Sequence, residues 1–326
     1  MYPLKFKSIY VDKIWGGSDL KNLRSDVPEG RIGESWDVSC HPHGVSVISN
    51  GKFKGMKLTE LIDSEGEALI GNKIDKKWFP LLVKLLNTSD KLSVQVHPND
   101  DYAKKVENEM GKTEVWHVVK AKSGSKIIAG LKEGVTKEKL KKAIEEGKAE
   151  ELMNAVPVEE GETYFIKSGL IHTIGEGLLI AEIQQNSDTT YRLYDYNRGR
   201  ELHIEKALDV IDYNLKGQKS TGLTAFFNGY SKNYICYCKD FSLELYNINK
   251  DMEEESDENR FYIFTCTKGS GSIVFQGGEE KINEGDSILI PAFLGKYKIK
   301  GELSLLKSYK PDIAEIEKEI LSFSKR

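Results

Sequence analysis

The sequence has few cysteines and no long apolar run. Four cysteines in 326 residues are too few for a disulfide scaffold, and no second pair accompanies Cys236 and Cys238 to complete a zinc knuckle. The apolar run over residues 79–86 is interrupted by Lys84, well short of the ~20 residues that span a membrane. Residues 1–7 contain no apolar segment typical of a secretory signal. We therefore expect a cytoplasmic protein without a membrane partner.

An excess of charge of one sign is also missing. Lys and Arg number 47 against 51 Asp and Glu, which gives a formal net charge of −4. Surfaces that bind nucleic acid are usually strongly basic, so nucleic acid is not expected as a partner. A small anionic ligand stays compatible with this balance if Lys and Arg cluster locally. The length is enough for roughly two domains of ~150 residues each.

Most of the chain is predicted to form short strands. Gly-rich turns at 269–271 and 277–278 separate some of them. The predicted strands are 45–48, 92–97, 114–119, 164–166, 178–184, 243–248, 261–265, 272–275 and 287–290. Many short strands of this kind favour an all-β barrel or sandwich.

Helices are fewer in the sequence pattern. Residues 136–154 have apolar positions at helical spacing, with Thr136 as a plausible N-cap. Asn99 or Asp100 is expected to cap a short helix toward Val106, and residues 204–214 also read as helical. The predicted architecture is therefore all-β with a small helical insertion.

A weak internal sequence repeat suggests two β-domains. Gly161 is followed by Lys167, Gly169 and His172, at the spacing of the second sequence motif of cupin barrels, with Lys in place of Pro. Gly285 is followed by Pro291 at the same spacing, but neither the Gly nor the His comes after it. We therefore predict a metal-binding domain over residues 1–215, with the helical insertion near 136–154, and a metal-free domain over 216–326.

The strand at 92–97 places polar side chains on one face. Side chains alternate along a strand, so Ser93, Gln95 and His97 share a face while the valines between them point to the other. A carboxylate from Glu114 and a second imidazole from His172 would complete a mixed nitrogen and oxygen metal site. The set Gln95, His97, Glu114 and His172 contains no thiolate. It suits zinc with an open position, and two His with one carboxylate also suit Fe(II).

Other histidines fit this site less well. His117 alternates onto the face opposite Glu114. His41 and His43 are the main competing pair, but the Pro between them and Gly44 after them indicate a turn.

The polar segment 182–195 is a second candidate for function. If Thr190, Arg192 and Tyr194 line one strand face, Arg192 can point toward the metal. Charge spacing alone favours the other interpretation, a surface ion pair of Arg192 with Asp188 or Asp195. Lys112 is a further cation close to Glu114 in sequence.

These stretches resemble the type I mannose-6-phosphate isomerases, also called phosphomannose isomerases, particularly the short bacterial form. The resemblance spans roughly residues 15–195, and the C-terminal third is similar only as a degenerate cupin domain. The matching stretches are Trp15-Gly-Gly17, Gly33-Glu-Ser-Trp36, Phe79-Pro-Leu-Leu-Val-Lys84, Leu92-Ser-Val-Gln-Val-His-Pro98, Gly111-Lys-Thr-Glu114, Gly169-Leu-Ile-His172 and Gln185-Asn-Ser-Asp-Thr-Thr-Tyr-Arg192.

The resemblance implies a double cupin fold, one zinc ion per chain and the interconversion of mannose 6-phosphate and fructose 6-phosphate. By the same match, Arg192 falls on the catalytic arginine, and Ser93 and Lys112 line the substrate cleft. The four residues that fall on zinc-ligand positions are Gln95, His97, Glu114 and His172.

The base that moves the proton between C1 and C2 is left open by the sequence. Glu182 is a candidate if its strand face points inward, and Lys112 is another titratable group near the site. Two other functions also remain open: a metal cupin that binds a sugar phosphate without turnover, and an Fe(II) oxygenase on the same barrel.

Overall fold

The structure is a computed structural model that describes residues 1–324. Strands make up 44% of it and helices 17%, which confirms the mainly β prediction. Two compact units are present, and neither is a continuous stretch of chain. The first contains Met1–Ile9, Ser35–Leu85 and the chain from Thr221 onward, and the second contains Tyr10–Glu34 and Leu86–Ser220. The domain boundary at 215/216 stays a prediction.

The first unit is built on a ten-stranded antiparallel sheet. Its interior includes aromatic and β-branched side chains such as Phe264, Ile288 and Ile299. The sheet follows the order Leu223–Phe227, Tyr230–Tyr237, Ser242–Ile248, Lys296–Tyr309, Tyr262–Phe275, Ser287–Ile290, Leu4–Lys7 and Val47–Ile48, with Asp251–Glu255 on Lys296–Tyr309 and Gly278–Asn283 on Tyr262–Phe275. The pair Cys40–His41 and Gly44–Val45 forms a separate hairpin.

The second unit contains strands of two sheets, and the candidate site lies here. One sheet has the order Met153–Pro157, Lys126–Leu131, His172–Ile174, Val94–Val96 and Tyr191–Tyr194. In the other sheet, Thr163–Ile166, Glu114–Ala121 and Leu178–Gln185 are neighbours. One apolar cluster contains side chains from both sheets, including Trp116, Val118, Ile127 and Ile174. The chain passes from one unit to the other within three strands, which are Ile9–Gly17, Ile32–Val38 and Leu81–Asn87.

Two of the helices begin where their capping residues predict. Thr136 accepts a hydrogen bond from the Lys139 backbone N–H, and Asn99 accepts one from that of Tyr102, so both predicted caps are confirmed. The helix predicted over 136–154 is shorter, because Gly147 (φ 71°) turns the chain after it. The α-helices are Leu58–Glu65, Glu67–Ile70, Asp100–Val106, Lys137–Glu145, Ile204–Val210 and Ile313–Ser324, with 3₁₀ turns at Asp19–Asn22 and Ala149–Leu152.

The turn predicted at 269–271 is wrong. Strand Tyr262–Phe275 runs through these glycines and pairs along its length with Lys296–Tyr309. A Cβ on Gly269 would lie 2.1 Å from the Glu302 carbonyl oxygen, and one on Gly271 would lie 2.1 Å from that of Lys300. These glycines therefore permit a close approach of two backbones. The turn at 277–278 is present, since Phe275 pairs with Gly278.

Candidate metal centre and active site

Three neighbouring strands bring the predicted site residues into one row. His172 pairs with Gln95, and Gln95 pairs on its other side with Arg192. Residues opposite one another in a sheet direct their side chains to the same face. The register therefore assembles an imidazole, an amide and a guanidinium from strands that are far apart in sequence.

His97, Glu114 and His172 converge in the interior. Their ligand atoms lie within 4.8 Å of one another, and all three residues are buried. The two Nε2 atoms of His97 and His172 are 3.2 Å apart. Glu114 Oε1 lies 3.5 Å from His172 Nε2, and Glu114 Oε2 lies 3.6 Å from His97 Nε2. This geometry brings residues from distant segments into one cluster that could hold a metal ion.

Backbone carbonyls orient the two imidazoles. His97 Nδ1 lies 3.0 Å from the Thr189 oxygen, and His172 Nδ1 lies 2.8 Å from the Leu170 oxygen. A carbonyl only accepts, so each Nδ1 carries the proton and each Nε2 offers its lone pair to the cluster. Burial lowers the pKa of His172 to about 3, so this ring is neutral at physiological pH. Both features are typical of histidines that bind metals.

The unsatisfied carboxylate oxygen fits a cation. Glu114 is fully buried, and its Oε1 accepts no hydrogen bond from the residues that the structure describes. A buried carboxylate oxygen without a partner is costly, and a cation held between it and the two Nε2 atoms would satisfy it. The amide of Gln95 lies 3.4 Å from His172 Nε2, and a 180° rotation of this amide presents its oxygen to the cluster. The donor set suits zinc or Fe(II).

Lys112 lies directly against this cluster. The side chain is buried, its Nζ is 3.1 Å from His97 Nε2, and it donates a short hydrogen bond to Glu114 Oε2. The sequence interpretation of Lys112 as a cation near the site is therefore correct in position. Its ammonium competes for the same two atoms that a metal ion would use.

Arg192 does not form the surface ion pair that charge spacing favoured. Its Nε donates to Ser93 Oγ at 3.3 Å and its Nη1 to the Glu201 carbonyl at 2.7 Å. Within residues 1–324 it forms no ion pair with an aspartate, since Asp195 is engaged by Arg198 and Arg200. Burial, with a contribution from Arg200, lowers the pKa of Arg192, although a guanidinium stays protonated in proteins.

The sequence made Glu182 a candidate base only if its strand face points inward, and this face does point inward. It pairs with Trp116 as Gln184 pairs with Glu114, so the carboxylates of Glu182 and Glu114 share a face. Glu182 is buried and accepts a hydrogen bond of 3.0 Å from the Trp116 indole. The Trp116 ring in turn contacts His172 edge-on, with 5.3 Å between ring centroids.

The competing histidines lie elsewhere. His41 ends a short strand and His43 lies in the turn that follows it, as the Pro between them predicted. His117 Nδ1 lies 2.9 Å from Thr163 Oγ1, on the face opposite Glu114. Burial lowers the pKa of His117 to about 4.

Sequence reasoning missed the groups that orient the ligands. Thr189 and Leu170 act through backbone carbonyls, for which no side-chain pattern exists. Trp116 could have been found from the sequence, because strand alternation places its side chain on the same face as that of Glu114.

The fold and the site together define a class of protein. Antiparallel sheets that hold a buried His/Glu cluster are the arrangement of metal-binding cupins. The family described as phosphomannose isomerase type I, catalytic domain, matches residues 4–113, and the mannose-6-phosphate isomerase cupin domain matches residues 230–310. The double cupin prediction is therefore confirmed.

Relatives and a solved structure extend this match over nearly the whole chain. Mannose-6-phosphate isomerase ManA of Bacillus subtilis is 36% identical over 314 residues, which cover 94% of this chain and 98% of that protein. Mannose-6-phosphate isomerase of Streptococcus mutans shows the same identity and coverage. The crystal structure of mannose 6-phosphate isomerase from Bacillus subtilis superposes with a TM-score of 0.89 at 32% identity and covers 94% of this chain and 99% of that one. The chain belongs to the type I phosphomannose isomerase family.

No helix among the described residues is long and apolar enough to cross a membrane.

Proposed function

We propose that the chain is a zinc-dependent isomerase that interconverts mannose 6-phosphate and fructose 6-phosphate through an enediol(ate). The observation that carries this proposal is the buried cluster of His97, Glu114 and His172. Within it, His172 is in strand register with Gln95, which is in register with Arg192. The names of the relatives supply the substrate. A small-molecule sugar phosphate is thus the proposed partner.

Four side chains would hold the zinc: Gln95, His97, Glu114 and His172. Bound there, zinc supplies a Lewis acid that offsets negative charge developing on a substrate oxygen. The carbonyls of Thr189 and Leu170 keep the two Nε2 atoms directed at this position. The neutral state of the buried His172 ring means that no proton has to leave it before it can act as a ligand.

Arg192 is proposed to stabilise the transition state. Its fork of N–H donors carries a permanent positive charge and suits an oxyanion or a phosphate. Ser93 Oγ is a neighbour that orients the guanidinium and can meet a substrate hydroxyl. Lys112 is proposed to contact substrate beside the metal, where its ammonium already faces Glu114 and His97.

Glu182 and Lys112 are the two candidates for the proton transfer between C1 and C2. Glu182 shares the face of Glu114, and one of its oxygens is held by the Trp116 indole. The buried indole N–H fixes the direction of this carboxylate, as a base of defined geometry requires. A cytoplasmic location is part of the proposal, supported by four cysteines that are free in the structure.

The test is an assay of fructose 6-phosphate formation from mannose 6-phosphate, with and without a chelator, combined with elemental analysis. We expect turnover that a chelator abolishes and zinc restores, at one zinc per chain. If the purified protein contains iron and consumes oxygen, it is an Fe(II) oxygenase and the proposed isomerase function is wrong. If it binds the sugar phosphate without turnover, it is a sugar-phosphate sensor and not an isomerase.

A further inference from the structure

Besides the strand of His172, three separate segments contribute to the metal centre, and one side chain joins two of them. The first carries Gln95 and His97, the second carries Lys112 and Glu114, and the third supplies the Thr189 carbonyl that orients His97. Gln185, at the end of strand Leu178–Gln185, lies between the first two segments and is 2% exposed.

Both the oxygen and the nitrogen of the Gln185 side-chain amide form hydrogen bonds. Its Oε1 accepts the Thr113 backbone N–H at 2.9 Å, and its Nε2 donates to Asp100 Oδ1 at 3.0 Å. The same Asp100 oxygen accepts the Gly111 backbone N–H at 3.0 Å. Gln185 therefore connects the first residue of helix Asp100–Val106, close behind His97, to the segment that leads into Glu114.

Backbone contacts show how closely these segments lie. The Lys112 N–H donates to the Pro98 oxygen at 3.0 Å, and the Gln185 N–H donates to the Thr113 oxygen at 3.1 Å. A Cβ on Gly111 would lie 2.5 Å from the Asp100 backbone nitrogen, so only glycine allows this approach. A small shift of either segment would change the separation of the ligand atoms of His97 and Glu114.

A second contact extends the connection to the third segment. Ser187 Oγ donates to the Met110 oxygen at 2.9 Å and accepts the Thr189 N–H at 3.3 Å. The Thr189 carbonyl then faces His97 Nδ1. The segment 185–189 therefore orients the His97 ring through the Thr189 carbonyl. It also fixes the position of Glu114 through the hydrogen bond between Gln185 and Thr113.

We propose that Gln185 is a positioning residue of the metal centre: its amide bridges Asp100 and Thr113 and thereby sets the separation of His97 and Glu114. This inference rests on the proposed metal function. Gln185 reaches no ligand atom itself. Its effect is transmitted by the two backbone segments that it joins, as in the outer hydrogen bonds that orient metal ligands in other proteins.

The polarity of the bridge allows a sharp test. In Gln185→Glu, one carboxylate oxygen can still accept from Thr113, but the other faces the Asp100 carboxylate, and like charges repel. In Asp100→Asn, the amide oxygen can still accept from Gly111, and the negative charge that faced a glutamate at 185 is gone. The double variant Gln185→Glu/Asp100→Asn therefore removes the like-charge repulsion but not the lost hydrogen bond, because the Asp100 oxygen that Gln185 uses also accepts from Gly111.

Zinc alone is the probe, measured by competition with a chromophoric chelator at pH 8. We expect Gln185→Glu to weaken zinc binding by about 10–100-fold, the size found for outer hydrogen-bond partners. The double variant should recover part of this loss, because the repulsion between two carboxylates is removed. Thr163→Val is the matched control, because it removes a buried hydrogen bond to His117 on the opposite strand face.

A purely structural role predicts a different result. Gln185→Glu would then lower the melting temperature as Thr163→Val does and leave the zinc dissociation constant unchanged, which would overturn the proposal. An affinity loss of the same size in Gln185→Glu and in the double variant would overturn it as well. If wild type itself binds no zinc, the proposed metal function fails, and that outcome is visible before any variant is made.

Discussion

At the scale of single residues, the site depends on two imidazoles that the interior orients, one of which burial also holds neutral. The carbonyls of Leu170 and Thr189 fix which nitrogen carries the proton, and burial keeps His172 uncharged. Water would offer neither effect, because an exposed imidazole rotates and titrates near neutral pH. The ligand set is therefore prepared by hydrogen bonds that belong to the fold.

His97→Ala should remove nearly all metal without unfolding the protein. Outer hydrogen-bond partners already change metal affinity by about 10–100-fold, so loss of a direct ligand should cost at least that much. The apolar clusters do not include His97, so the circular dichroism spectrum should be unchanged. Elemental analysis measures the loss, with His43→Ala in an exposed turn as the control. Unchanged zinc content in the His97 variant would disprove the ligand set.

Arg192→Ala should keep zinc and the fold but lose activity. A guanidinium has no lone pair for a metal, and loss of one preorganised donor to an oxyanion costs about 10²–10³ in turnover. Arg192→Lys should recover only part of it, because it retains the charge and loses the fork of donors. Steady-state kinetics on zinc-loaded protein measure both. A change in KM alone would assign Arg192 to ground-state binding.

At the scale of secondary structure, two glycines show how local conformation and packing differ. Gly269 and Gly295 both have a positive φ, of 76° and 82°. A Cβ on Gly269 would meet the Glu302 carbonyl at 2.1 Å, whereas one on Gly295 would meet nothing within 4 Å. The first glycine is required by backbone conformation and by the pairing of two long strands, and the second by conformation alone.

Alanine at these two positions should therefore separate the effects. Gly295→Ala should lower the free energy of unfolding by about 1 kcal/mol from the strained φ. Gly269→Ala should cost more, about 2–4 kcal/mol, since the strands must also move apart. Urea unfolding of both variants gives the comparison. Equal losses would show that the backbone adjusts freely at the 269–302 contact.

At the scale of the whole molecule, buried histidines link stability to pH. Burial lowers the pKa of His117 from 6.5 to about 4. Between these values the unfolded chain binds a proton at this residue and the folded protein does not. Stability contributed by the neutral ring is therefore complete above about pH 6.5 and is lost as the pH falls toward 4.

His117→Gln should flatten this dependence. The amide can still bond Thr163 Oγ1 but takes up no proton, so the wild type should lose up to about 3 kcal/mol more than the variant between pH 7 and 4. Urea unfolding at several pH values measures the difference. Parallel curves for the two proteins would show that His117 takes up its proton at the same pH in the folded and the unfolded state.

Much of the fold and part of the site could be predicted from the sequence, because they depend on local rules. Strand alternation placed Ser93, Gln95 and His97 on one face and His117 away from Glu114. The caps at Thr136 and Asn99 depend on hydrogen bonds three residues away. Most predicted strands are present within a few residues of their expected ends, since each is marked by its own side-chain pattern.

Only the tertiary structure decided what depends on register between distant segments. Charge spacing favoured an aspartate partner for Arg192, but pairing with Val94–Val96 takes its guanidinium to Ser93. The pattern of glycines at 269–271 predicted a turn, whereas strand Lys296–Tyr309 passes too close for a side chain at Gly269 or Gly271. Gln185 bridges residues 72 and 85 positions away. Sequence patterns report neighbours along the chain, and these contacts are between residues that only folding brings together.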